Sequence, residues 1–353
     1  MRRCIAGGRP RPPDPVVRSS SSSSSSRTHA SVLQRTQHAR VERAGYDVVL
    51  SSGFLAFANH SGFLQAVEEA GIHVSGVMGT SAGALAGSLY AAGYSPLEVA
   101  QHLSAAPPIQ LLKPCWEPWR GGVLSLDAVV ARLAQLLPAT FEELERDFAV
   151  GVVTPSGEHV LIDSGPLPEA VAASAAIPYV FSAVDVPGKL SGLKDGGVVD
   201  RIGLKAWRDR RRRQSQQAPP AAAAAAAPRR GRPPPCLVHI IERSSPFSGA
   251  DDPAATGERD VHVVRSPKSG VNFFDLGAFS EQFDGARRRA RPVIARLVLD
   301  AGAAGAGAGP AAGPAAAGGG KAAAAAKAAA AAAARAQALG GGGVGGAGAS
   351  AGN

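Results

Sequence analysis

A serine framed by two glycines, Gly79-Thr80-Ser81-Ala82-Gly83, is the group in this sequence best placed to act as a nucleophile. A serine hydroxyl attacks well only when a base takes its proton and when the backbone lifts it clear of its neighbours. The flanking residues predict such a setting. Val74 to Met78 is an apolar stretch of strand character, and Ala84 to Gly93 is helical in composition, so Ser81 falls at a strand-to-helix turn. Gly79 and Gly83 allow sharp turning and close packing, and the free N–H groups at the start of the helix favour negative charge developing beside the hydroxyl.

The elements that must hold this serine follow from the pattern around it. Tyr46 to Leu50 predicts a first strand, Ser61 to Ala70 a helix stopped by Gly71, and Ile72 to Met78 the strand that leads into Ser81. Strand, helix, strand, helix in that order implies a parallel crossover with Ser81 at a carboxyl strand end, where open α/β sheets place their sites. Ser95-Pro96-Leu97-Glu98 reads as a capping box opening a third helix. Leu126, Val129, Val130, Leu133, Leu136 and Leu137 recur at helical spacing after Ser125 and are expected in the core. Phe148 to Val153 and Glu158 to Ile162 flank Thr154-Pro155-Ser156-Gly157 as a hairpin. A short helix is expected around Pro168 to Ala176, strands at Cys236 to Ile241 and Val261 to Val264, and a closing helix over about Ser280 to Leu299.

Composition divides the chain. Residues 1–44 hold nine arginines, two acidic residues and the serine run Ser19 to Ser26, the profile of an organellar presequence, plastid by preference and mitochondrial as the alternative. Residues 45–207 form the main core, 208–235 an Arg/Ala/Pro-rich insert expected to be exposed and disordered, 236–300 the rest of the core, and 301–353 an Ala/Gly-rich tail. The formal net charge is +9, yet residues 45–207 carry eight basic and sixteen acidic residues. The basic balance therefore lies outside the segment with the motif, and nucleic acid is not an expected partner. Cys4, Cys115 and Cys236 are far apart without metal-ligand spacing, so no metal is expected. No stretch reads as a transmembrane helix, so a lipid substrate would be met from the water side.

Three blocks taken together resemble the patatin-like phospholipases: Gly79-Thr80-Ser81-Ala82-Gly83, Ser174-Ala175-Ala176-Ile177-Pro178, and Asp195-Gly196-Gly197. The resemblance covers roughly residues 46–207. It implies an α/β/α sandwich with a mostly parallel sheet and a lipid acyl hydrolase, of phospholipase A or galactolipase type, acting on membrane glycerolipid. The same likeness implies Ser81 as nucleophile, Asp195 as its base, positioned by Gly196 and Gly197, and no cofactor. Gly53, Phe54 and Ala82 would supply the amides of an oxyanion hole. The family's G-G-G-x-R-G loop is replaced here by Ser52-Gly53-Phe54-Leu55-Ala56-Phe57, in which only Gly53 is kept. Phe54 and Leu55 are largely barred from the positive φ open to glycine, which predicts a differently shaped or defective hole. Phe54, Leu55 and Phe57 are candidates for lining an acyl channel or for packing the core. Asp200-Arg201 departs from the family's Asp-Asn.

Two competing readings remain at this level. An α/β-hydrolase triad would use His239 or His262 as the base, although only one strand precedes the nucleophile strand. A catalytically impaired lipid- or acyl-binding protein would keep the fold and lose the oxyanion hole.

Overall fold

The computed structural model of the protein describes residues 45–117, 119, 121–217, 232–243 and 249–306. The presequence expected at 1–44, residues 218–231 of the expected insert, and residues 307–353 of the tail lie outside these. The chain divides into two units, Met1–Asp300 and Ala301–Asn353. The second is described only at residues 301–306, which are helical. The first unit is the subject below.

Its centre is an eight-stranded sheet in the order β11-β10-β1-β2-β5-β9-β8, with β6 also on β5. Strands β1 (Tyr46–Leu50), β2 (Val74–Thr80), β5 (Asp147–Val153), β10 (Cys236–Ile241) and β11 (Val261–Ser266) run parallel. The antiparallel pairs are β6 (His159–Ile162) on β5, β9 (Leu190–Asp195) on β5, and β8 (Val184–Val186) on β9. A separate small sheet joins β3 (Lys113–Pro114), β4 (Gly122–Ser125) and β7 (Tyr179–Phe181).

Side chains alternate across the central strands, and the two faces pack separately. Val48, Leu50, Val77, Phe148, Val150 and Leu237 belong to one buried cluster, and Val49, Met78, Ala149, Cys236, Val238 and Ile240 to another. Both faces are covered, which is why these strands read as continuous apolar runs. The first face is covered by α1 (Phe57–Glu69), α2 (Ala82–Ala91), α5 (Leu167–Ser174) and α7 (Phe279–Ala306), through residues such as Phe63, Leu89, Val171 and Ile294. The second is covered by α6 (Leu204–Gln217), through Leu204 and Trp207. The α/β/α sandwich with a mostly parallel sheet is therefore the observed architecture.

Local signals served well where they were strong. The capping box at Ser95 is formed, with Glu98 N–H donating to Ser95 Oγ and Ser95 N–H donating to Glu98, at the start of α3 (Pro96–Ser104). Helix α4 (Asp127–Leu136) starts two residues after Ser125, whose hydroxyl accepts from Asp127 N–H. Helix α1 begins four residues earlier than the sequence suggests, at Phe57.

The expected insert at 208–235 needs correction. Residues 208–217 continue α6, and Arg208 and Arg210 are buried. Arg210 is bidentate on Asp147 at 2.6 and 2.7 Å and donates to Asp163 at 2.6 Å. Arg211 bridges Asp47 and Asp147, each at 2.8 Å. Asp47, fully buried, also accepts from Trp207 Nε1 at 3.0 Å and Ser75 Oγ at 2.9 Å. An arginine run looks solvated in a sequence, but long arginine stems lie along apolar surface while their heads reach acceptors. Here those acceptors stand at the amino ends of β1 and β5. Residues 232–235 join in as well, since the carbonyl of Pro234 accepts from Arg208 and that of Pro235 from Asp47 N–H.

Candidate active site

Ser81 is the residue between β2 and α2, and its backbone has φ 56° and ψ −119°. Among the described non-glycine residues, positive φ is confined to Leu55, Ser81, Tyr179 and Asp260. Such a conformation costs on the order of 1–3 kcal/mol and persists only when its surroundings enforce it. The enforcement is visible. Ser81 N–H donates to Ser174 Oγ at 2.9 Å, and Ser174 Oγ donates to the Gly151 carbonyl at 2.6 Å. The Ser81 carbonyl accepts from Ala84 N–H at 2.9 Å and starts the helix.

The neighbouring glycines supply room rather than unusual torsions. A Cβ on Gly79 would lie 2.4 Å from the Gly83 carbonyl oxygen, and one on Gly83 would lie 2.2 Å from that of Leu50. Helix α2 thus sits directly on the ends of β1 and β2, and the sharp torsion falls on Ser81 itself.

Asp195 reaches Ser81 because of strand register. On β5, Gly151 is opposite Thr80 of β2, and the next residue, Val152, is opposite Asp195 of β9. Strand β6 occupies the other edge of β5 along Val150 to Val153. Strand β9 therefore enters on the edge that β2 vacates after Thr80, and its last residue meets the residue that follows Thr80. The Asp195 carboxylate lies within hydrogen-bonding reach of the Ser81 hydroxyl and accepts Gly197 N–H at 2.7 Å. Burial pushes the Asp195 carboxyl up to about 6, opposed by Ser81, Gly197 N–H and the charge of Arg201. Gly196 and Gly197 again leave space: Cβ atoms there would meet the Gly151 carbonyl at 2.4 Å and Ser52 Oγ at 2.6 Å.

The Ser174 block contributes more than the sequence disclosed. Ser174 holds the Ser81 amide, and the Ala176 carbonyl accepts Asp195 N–H at 2.9 Å, so one segment grips both residues. A serine followed by two alanines carries no local sign of this role; the block stands out in the sequence only by its resemblance to the S-A-A-I-P stretch, which assigns Ser174 no function.

Ser81 opens into an apolar cavity of about 280 Å³. Phe54, Leu55 and Phe57 form part of its wall, with Leu85, Leu133, Leu136, Phe181 and Phe273 elsewhere around it. All three border this cavity, and Phe57 is at the same time buried. Of the leucines in and beside α4, Leu126, Leu133 and Leu137 are buried, and Leu126, Leu133 and Leu136 border the cavity together with Val129.

Gly53, Phe54 and Ala82 come together at this end of the sheet. Phe54 and Ala82 border the cavity beside Ser81, and Ala82 opens α2, where amides have no intrahelical partner. The Ile241 side chain fills the place of a Gly53 Cβ at 2.6 Å. Leu55 does adopt positive φ, at 50°, contrary to the expectation for a leucine. The Phe54 carbonyl is fixed by Ser269 Oγ at 2.7 Å, and the Phe54 ring meets Phe273 edge to face.

The triad reading fails on geometry. His239 is fully buried, with Nδ1 3.0 Å from His60 Nδ1 and Nε2 3.0 Å from Ser266 Oγ, so both ring nitrogens are engaged away from Ser81. His262 lies on β11, three strand positions from β2, or roughly 14 Å at ordinary strand spacing.

An uncharacterized NTE family protein of Mycobacterium tuberculosis is 32% identical over 157 residues, covering 43% of this chain and 42% of the relative. A Mycobacterium bovis protein of the same description matches equally. The chain thus spans about two fifths of the length of these curated relatives. Among solved structures, VipD from Legionella pneumophila aligns with a TM-score of 0.43 and 13% identity, over 73% of this chain and 67% of that one. The type III effector protein ExoU aligns at 0.40 and 14%, over 72% and 54%. The family model described as patatin-like phospholipase matches residues 48–206, which include Ser81, Ser174 and Asp195. Residues 48–206 of the chain are thus similar to the patatin-like phospholipase family.

Proposed function

We propose that the protein hydrolyses acyl esters of glycerolipids, of the phospholipase A or galactolipase type, through a Ser81–Asp195 dyad. The observation that carries this reading is the strained Ser81, held at an apolar cavity with its hydroxyl in reach of a buried carboxylate whose proton affinity is raised. A base with a pKa near 6 is better matched to neutral pH than an ordinary aspartate. Asp195 takes the Ser81 proton as Oγ attacks the acyl carbonyl carbon. The oxygen gains negative charge beside the amides of Ala82 and of the Gly53–Phe54 segment. Collapse breaks the ester C–O bond, and the proton on Asp195 passes to the departing alcohol. Water then attacks the acyl-serine with Asp195 again as base, releasing the fatty acid and restoring both residues.

The cavity's apolar wall suits an acyl chain, and the substrate class extends this to lipid assembled in a membrane. No helix among the described residues is long and apolar enough to cross a membrane. Delivery to a plastid, or alternatively a mitochondrion, is proposed from the composition of residues 1–44 alone, and the amino terminus of the mature protein tests it.

Fluorophosphonate labelling of wild type and Ser81→Ala, together with release of fatty acid from phospholipid and galactolipid vesicles, tests the hydrolase. Labelling lost with Ser81→Ala, alongside fatty-acid release by wild type, is the expected result. Wild type that neither labels nor cleaves leaves the lipid-binding reading in its place.

A further inference from the structure

Arg201 is 1% exposed, and its guanidinium is directed at one residue of the β1–α1 loop. Nε donates to Ser52 Oγ at 3.2 Å, and Nη2 to the Ser52 carbonyl at 3.0 Å. The Arg201 carbonyl in turn accepts Ser52 N–H at 2.7 Å. Nη2 also reaches the Ile241 carbonyl at 2.7 Å, and Nη1 pairs with Asp251 at 2.6 Å. Burying a guanidinium is costly, and a bond to Asp251, whose side chain is 21% exposed, could be made nearer the surface. The burial instead ties together three backbone segments around Ser52.

Ser52 stands between the two halves of the site. On its carboxyl side come Gly53 and Phe54, the candidate oxyanion donors. Its side chain presses on Gly197, with Oγ 2.6 Å from the place a Gly197 Cβ would take, and Gly197 N–H holds Asp195. A shift of Ser52 would therefore disturb both the loop amides and the turn that aims the carboxylate. Gly53 is the single glycine of this loop, and Leu55 beyond Phe54 has φ 50°.

We propose that Arg201 is a positioning residue, clamping Ser52 so that the Gly53–Phe54 amides face the reacting acyl oxygen while the Asp195-Gly196-Gly197 turn is braced from the same point. This rests on the Ser81–Asp195 reading. The positive charge also favours ionised Asp195 against its burial, which offers a readout that a purely structural role would not move.

The test uses full-length protein. Second-order fluorophosphonate labelling of Ser81 is followed against pH for wild type, Arg201→Met and Arg201→Lys, with thermal melts to set a temperature at which each is folded. Arg201→Met is expected to label about 10²-fold more slowly, as for a displacement of about 1 Å among reacting groups, with its pH midpoint moved upward. Arg201→Lys keeps a charge but not the fork, so its midpoint stays near that of wild type while the rate remains depressed. Wild-type rate and midpoint in a folded Arg201→Met protein would overturn the proposal. Should that variant not fold, wild-type labelling of Arg201→Lys, or of Ser52→Ala where neither arginine variant folds, would overturn it equally. Absence of Ser81 labelling in wild type would instead overturn the dyad reading, a distinct result.

Discussion

Ser174 accepts the backbone N–H of Ser81 at 2.9 Å while donating its own proton to Gly151 at 2.6 Å, across 93 and 23 residues of sequence. One hydroxyl thereby pins the nucleophile's strained backbone to the central strand β5. Ser174→Ala would leave the Ser81 amide without this acceptor in a buried site, a loss of about 1–3 kcal/mol. A lower Tm together with slower fluorophosphonate labelling is expected; unchanged labelling would show that the elbow holds without Ser174.

The dyad should behave as a unit. Ser81→Ala, Asp195→Asn and the double variant are expected to lose esterase activity to similar extents, because each removes the same step. Additive losses, measured on p-nitrophenyl esters, would separate the two residues.

The raised Asp195 pKa has opposite consequences for activity and stability. Labelling of Ser81 should rise with pH through about 6 as the carboxylate forms. Stability has the reverse dependence: a raised folded-state pKa contributes stability that is present below the ordinary value of 3.8 and lost as pH rises through about 6. Asp195→Asn is accordingly expected to be more stable than wild type at pH 8, by on the order of 2 kcal/mol, with the difference vanishing below pH 4. Thermal melts of both proteins across that range check it.

At the opposite end of the strands, Asp47 is buried beneath Trp207 and Arg211. Asp47→Ala would strand the Arg211 and Trp207 donors, and loss of one partner from a buried pair typically costs about 3–5 kcal/mol. Removing residues 208–217 should destabilise at least as much, whereas removing 301–353 is expected to leave Tm nearly unchanged. Chemical denaturation of the three variants distinguishes these outcomes.

The His60–His239 contact makes the fold sensitive to acid. Burial drives His60 down to about 3, and burial, together with the repulsion that Arg289 and a protonated His60 would exert, drives His239 well below the usual histidine value of 6.5. Both are neutral when folded and take up protons on unfolding below 6.5. Stability present above that pH is therefore lost as pH falls toward 3, by up to about 1.4 kcal/mol per pH unit for each ring. His60→Asn should flatten the decline of Tm between pH 6.5 and 5; an unaltered slope would assign it to other groups.

Much of this arrangement was legible in the chain itself. The G-x-S-x-G turn between an apolar strand and an alanine-rich helix located Ser81, since a strand-to-helix junction depends on neighbouring residues and local periodicity carries it. The capping box at Ser95 and the hairpin after Val153 were legible for the same reason. What local pattern could not carry was long-range register. That Asp195 ends β9 opposite Val152, one residue beyond the Thr80–Gly151 pair, follows from packing across β5 and has no signature near either residue. The arginines of α6 were misread because their burial depends on Asp47, Asp147 and Asp163, carboxylates distant in sequence. Ser174 and Arg201 likewise owe their roles to backbone groups at Ser81 and Ser52, which only the closed tertiary structure brings within hydrogen-bonding distance.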